Sequence, residues 1–165
     1  LRSEQSAWWN ILAWTARNSA TFAPVITALL WRGATRQGAV VAMVVGFGTG
    51  MLWYQLSGWG ISQFLYGIHP VWLGMSANLL VLVLVSLATS REGWRVASGN
   101  LLSLGALLLL IGVGLAAYTA SAFVTLAPTG LLGLVLFLAT LAFAFGLMVL
   151  FQPRGDAVPA GSVAA

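Results

Sequence analysis

The sequence predicts an all-α integral membrane bundle of about five transmembrane helices. Three observations predict it: charge is scarce, the apolar runs are long enough to cross a bilayer, and the arginines between runs sit in alternate links. Of 165 residues, 60% are hydrophobic and 6% charged, where a water-soluble domain carries about 25% charged residues. So few charges cannot cover a soluble fold, so lipid is the expected solvent. All seven basic residues are arginine, giving a formal net charge of +4 and a pI near 10.8. They stand singly along the chain, which suits the anchoring of helices and forms no basic face for nucleic acid. With no cysteine, the chain has no disulfide, no thiolate metal site and no thiol nucleophile.

Apolar runs of the roughly 20 residues that a bilayer core requires fall at about 7–31, 38–56, 71–88, 99–118 and 129–151. Helices are expected, because lipid cannot hydrogen-bond an exposed backbone and strands would need alternating polarity. The run LLSLGALLLLIGVGLAA has no such alternation. The links are short and leave no room for a soluble domain. The chain opens on LRSEQS, without Met or a cleavage-site pattern, and is expected to be processed or to be part of something longer. Residues 152–165, with Pro153, Pro159, Gly155 and Gly161, read as a disordered tail.

Loop charge orients the helices. The first link carries Arg32 and Arg36, and the third carries Arg91 and Arg95 with Glu92. The second and fourth carry no formal charge apart from a possible proton on His69, and the tail carries Arg154. By the positive-inside rule, links one and three and the C-terminus are expected in the cytoplasm of a cell whose inner (plasma) membrane the chain crosses. Trp8 and Trp9 would mark the outer start of the first helix and Trp31 its inner end. Trp53, Tyr54, Trp59, Tyr66 and Trp72 gather about the outer link, and Trp94 lies in the inner third link. Such rings favour the interface; a stacking platform for a sugar or a base is the sharper alternative.

Three features stand out from the apolar background. Arg17 and Asn18 lie about ten residues inside the first span. A guanidinium at that depth faces a bundle interior, a partner or water, which makes the pair a candidate gate or pathway. Alternatively the span is shorter, about 20–31 preceded by an interfacial stretch, and Arg17 snorkels outward. In the second span Gly46 and Gly50 form a GxxxG pair about Gly48, the pattern of close helix packing, with a hinge as the functional alternative. Gly105, Gly112 and Gly114 in the fourth span read the same way. The third feature is His69-Pro70 before the third span. Pro70 suits the first turn of a helix, so His69 reads as a helix-entry residue, with a proton relay as the alternative. One histidine cannot build a His-based metal site, and no P-loop, GxSxG, HExxH or clustered acid pair is present. No enzyme is expected.

The stretches APVITALLWRGATRQGAVVAMVVGFGTGMLW and GIHPVWLGMSANLLVLVLVSLAT resemble the C-terminal core of the sodium:solute symporter family, which includes proline, pantothenate and monocarboxylate permeases. The pattern is a helix with Pro24 that ends on Trp31-Arg32, then Thr35, Gly38-Ala39, Met43 and Gly46. After an outer loop come Gly67, Ile68, His69 and Pro70, and a helix that closes on Ser86-Leu87 with Thr89. It covers about residues 7–90. The resemblance implies a LeuT-type fold of two inverted repeats with substrate and Na⁺ at broken helices near the midplane. The first span would be the last core helix, and the next two would be peripheral. The family's sodium and substrate ligands lie on earlier helices, so none is carried to a residue number here. Arg17-Asn18 departs from the family, which more often has small residues there.

Residues 1–90 are thus expected to be symporter-like, and 91–151 to add two further helices without recognised likeness. The expected function is that of a C-terminal portion of a Na⁺/organic solute symporter, not competent for transport alone. Its partners would be the lipid bilayer, the remaining helices of the transporter and a small organic acid or amino acid. Na⁺ is expected for the complete transporter and no cofactor for this chain. A symporter-like sensor or anchor domain, and a stand-alone membrane subunit, are the alternatives.

Overall fold

The computed structural model describes residues 2–60, 63–91 and 93–154, with side chains from residue 5 onward. In chain order the helices are α1 (Arg2–Leu30), α2 (Arg36–Leu56), α3 (Pro70–Thr89), α4 (Asn100–Ser121), a short α5 (Phe123–Leu126) and α6 (Leu132–Leu150). Two 3-10 turns, Leu65–Gly67 and Ala127–Thr129, and two short strands, β1 (Trp94–Val96) and β2 (Phe151–Pro153), complete the described elements.

Local chemistry sets the helix ends. Thr35 caps α2, its Oγ1 accepting from Gly38 N at 3.0 Å, which satisfies one of the orphan amides of the first turn. His69 caps α3 through Nδ1, and Pro70 occupies the first turn, where its missing N–H costs nothing. After α2 the chain turns through Gly58 and Trp59, both at positive φ. Before α6, Pro128 closes a 3-10 turn and Gly130 reverses the chain at φ 74°. The last helix therefore begins at Leu132, later than the residue 129 expected.

α2 packs along α3, α4 packs along α6, α1 lies across α2 and α3, and α3 meets α6. The core they share is small: Ala23, Ala42, Leu79, Leu82, Val83, Ala144 and Met148 are buried with Trp31. The outer faces are apolar, with Leu107, Leu110 and Val113 on α4 exposed. A soluble monomer rarely shows so extensive an apolar face; a bilayer accepts it.

Two expectations need correction. Four helices, α2, α3, α4 and α6, are long and apolar enough to cross a membrane, and α1 is not among them despite its 29 residues. Thr15, Ser19 and Thr27 of α1 are fully buried against its neighbours, and Arg17 and Asn18 lower its hydropathy further. It runs as one helix from Arg2 to Leu30, with Arg17 exposed. The tail does not lose order at Gln152. β2 pairs antiparallel with β1, Trp94 opposite Pro153, Arg95 opposite Gln152 and Val96 opposite Phe151. Residues 155–165, where the rest of the expected tail falls, lie outside the described residues.

Candidate functional site

Pro24 sits inside α1. Lacking an N–H, it cannot serve the Ala20 carbonyl one turn back, and its ring crowds that oxygen. The structure supplies the missing donor from another helix. Asn78 of α3, fully buried, donates from Nδ2 to Ala20 O at 3.0 Å and to Ala42 O of α2 at 2.7 Å. Its Oδ1 accepts from Ala23 N at 2.7 Å. One amide thus satisfies the proline-disturbed turn and binds α1, α2 and α3 together.

Glycines let the three helices reach it. A Cβ on Gly46 would collide with the Ser19 carbonyl oxygen and with the Asn78 side chain. At Gly50 it would lie 2.9 Å from Ser19 Oγ, and on Gly74 of α3 it would strike the same hydroxyl. Gly46 and Gly50 therefore lie at the meeting of α2 with α1 and α3. Ser19 Oγ is buried there without a hydrogen bond in the structure.

A second polar node ties the arginine end of the same helices. Thr35 N donates to Ser86 Oγ at 3.0 Å, and the Thr35 and Thr89 hydroxyls are 2.9 Å apart. Gly38 leaves no room for a Cβ beside Ser86. Trp31, 3% exposed, stacks on Trp94 with ring centres 5.5 Å apart and donates from Nε1 to Phe151 O at 3.1 Å. Arg32, next in the chain, is exposed.

At the opposite end His69 is half-buried among Trp14, Tyr54 and Phe64. Its Nδ1 accepts from Val71 N at 3.2 Å, which leaves the ring proton on Nε2. Burial pushes its pKa below the ordinary histidine value, so the ring is neutral at pH 7. Trp53 Nε1 donates to Ile68 O at 2.8 Å beside it. Gly67 holds φ +67°, and a Cβ there would strike Ala127 O of the fourth link.

The structure does not gather Arg17 and Asn18 with these residues. Arg17 is exposed on the outer face of α1 with Trp14 and Val25. Asn18 donates back to Trp14 O at 2.7 Å, and Thr21 to Arg17 O at 2.9 Å. Glu4, Glu92 and Asp156, the carboxylates of the chain, fall outside the described side chains.

Asn78 was missed by sequence reasoning, which weighed formal charges. Its signal was present: it is the one carboxamide in a third span whose other polar side chains are the hydroxyls of Ser76 and Ser86, and a polar group at that depth needs a partner.

The fold and these contacts define a multi-pass helical membrane protein whose buried polar groups join helix to helix. Part of it is similar to a known transporter. The high-affinity proline transporter PutP of Bacillus subtilis is 33% identical over 100 residues, a match covering 52% of this chain and 20% of that protein. The chain thus spans about a fifth of the curated relative it matches. No family model matches the chain, and no solved structure matches it.

Proposed function

We propose that this chain is the C-terminal portion of a sodium-coupled secondary transporter of the sodium:solute symporter family, and that it does not transport by itself. The similarity to a proline transporter over half the chain carries the reading. The make-up of α1 supports it: one face is stitched to α2 and α3, and the other presents Trp14, Arg17 and Val25 outward. In this reading the outward face meets the remaining helices of the transporter, where Arg17 and Asn18 border the pathway. α1, α2 and α3 move as a scaffold against a rocking bundle that exposes Na⁺ and a small organic acid or amino acid alternately to each side. The ligands for Na⁺ and solute belong to helices outside this chain. The arginine end and the C-terminus face the cytoplasm of a cell whose plasma membrane the protein crosses.

The test is uptake into proteoliposomes by the protein that contains this chain, over a panel of amino acids and organic acids with proline included. Uptake that follows an imposed Na⁺ gradient supports the proposal. Absence of uptake of every panel member, with and without the gradient, defeats it. Because the chain is free of cysteine, single cysteines at Gln63 and Arg154 test the orientation separately. An impermeant maleimide applied from outside should label the first and spare the second.

A further inference from the structure

Five of the seven arginines, far apart in sequence, meet at one end of the bundle. Arg32 follows α1, Arg36 opens α2, Arg91 follows α3, Arg95 lies on β1 and Arg154 follows β2. They line two adjoining clefts that share Arg32 and Pro153. One, of about 290 Å³, is bordered by Arg32, Arg36 and Arg91 with the Thr35 and Thr89 residues of the hydroxyl node. The other, of about 420 Å³, is bordered by Arg32, Arg95 and Arg154 with Gln152. Together they offer the space of a small-molecule site. Even with Glu92 and Asp156 both counted against the five guanidinia, positive charge predominates at this end.

The surface that presents them is built. The Trp31–Trp94 stack, the hydrogen bond from Trp31 to Phe151 O and the pairing of Arg95 with Gln152 fix its backbone. Arg154 N adds a bond to Gly93 O at 3.3 Å. Orienting the helices by loop charge asks for arginines anywhere in a link. It does not ask for a ribbon that carries a tail arginine back against the first and third links. The neighbouring surface is apolar: Leu29 and Leu30, just before Trp31-Arg32, are 77% and 63% exposed, and Val96 beside Arg95 is exposed too. A charged cleft over exposed leucines matches a phosphate with acyl chains beneath it, and guanidinium forks match phosphate oxygens in pairs.

We propose that the arginine end of the bundle is a binding site for the phosphate headgroup of an anionic phospholipid, seated between Arg32, Arg95 and Arg154. The inference rests on the helical membrane fold and is independent of what the protein transports. The full chain, purified in a neutral detergent, is offered equimolar phosphatidylglycerol and phosphatidylcholine, and the retained lipids are counted by native mass spectrometry. Phosphatidylglycerol should be retained in preference. The preference should fall by about 5-fold for each of Arg32→Gln, Arg95→Gln and Arg154→Gln. Equal retention of the two lipids by the unsubstituted chain overturns the proposal, as does a preference that survives the triple substitution. Two measurements on the unsubstituted chain guard against variants that fail to fold. High salt, which shortens the screening length to about 3 Å at 1 M, should erase the preference; a salt-independent preference overturns the site. Inorganic phosphate at the lipid's concentration should leave the bound lipid in place; its release would mean a free-anion site and overturn the lipid assignment.

Discussion

The helices α1 to α3 and the pair α4 and α6 live in the same apolar surroundings but hold together by different means. In the first region side chains bond across helices: Asn78 reaches α1 and α2, and Thr35 reaches Ser86 and Thr89. In the second, among the described residues, hydroxyls turn back on their own helix, Thr119 to Leu115 and Ala116, Thr140 to Leu136. The helices there meet through glycine. A Cβ at Gly105 would lie 2.6 Å from Leu150, one at Gly112 2.7 Å from Phe143 N, and one at Gly146 2.9 Å from Leu109. Without a hydrophobic drive between helices in lipid, close packing and hydrogen bonds are the two means left. The first half uses both, through Gly46, Gly50 and Gly74 as well as Asn78, and the second relies on packing. Cross-helix bonds fix which atoms meet. Glycine contacts set only how near the axes come.

Breaking the stitched region should cost most. Asn78→Leu leaves Ala20 O and Ala23 N without their partners and is expected to destabilise the chain by about 2–4 kcal/mol, read by denaturant titration in micelles. Adding Pro24→Ala returns an N–H to Ala20 O, so the double variant should recover about 1 kcal/mol. A purely additive result would remove the link between the proline and the amide. Next in size is the packed region. Gly112→Leu should cost about 1–3 kcal/mol through overpacking. Gly114→Leu, where no atom lies within 4 Å of a Cβ, should stay within about 0.5 kcal/mol. Equal losses at these two positions would end the claim that glycine spacing joins α4 to α6.

Smaller is the capping node. Thr35→Val removes both the α2 cap and the Thr89 contact, and about 1 kcal/mol is expected from the same titration. The mildest effect is on pH. His69 is harder to protonate in the fold than in the unfolded chain. Stability should therefore be level above the ordinary histidine pKa of about 6.5 and decline as pH falls below it, where the unfolded chain takes up the proton first. His69→Gln should flatten that decline, since the chain has no other histidine. A slope unchanged by the substitution would assign it elsewhere.

Composition made the class legible, because lipid as solvent leaves its mark on every residue. The four apolar helices fell within a few residues of their expected bounds for the same reason. α1 was harder to read: its Thr15, Ser19 and Thr27 look like loss of hydropathy in one dimension and are a buried contact face in three. The ribbon was invisible, since Phe151-Gln152-Pro153 has no strand pattern and finds its partner far back in the chain. Of the residues that carried the family resemblance, Thr35, Gly38, Ser86 and Thr89 meet at one node, and Pro24 and Gly46 meet at another. The residue completing the second node, Asn78, carries no charge and was passed over. Arg17, whose charge drew notice, faces away from both.

The bond from Trp31 to Phe151 O has a mechanical consequence. It fastens the exit of the first helix to the exit of the last, and the ribbon fastens the latter to the link between α3 and α4. Those elements form a closed circuit at one end, so a tilt of α1 about Pro24 would drag the ribbon with it. The opposite end carries its own tie, Trp8 Nε1 donating to Trp59 O at 2.9 Å. Trp59 and Tyr66 there hold φ of 58° and 54°, and Tyr66 meets Phe123 edge to face. Torsion applied to α1 would there load, through Trp8, residues already held in costly backbone conformations.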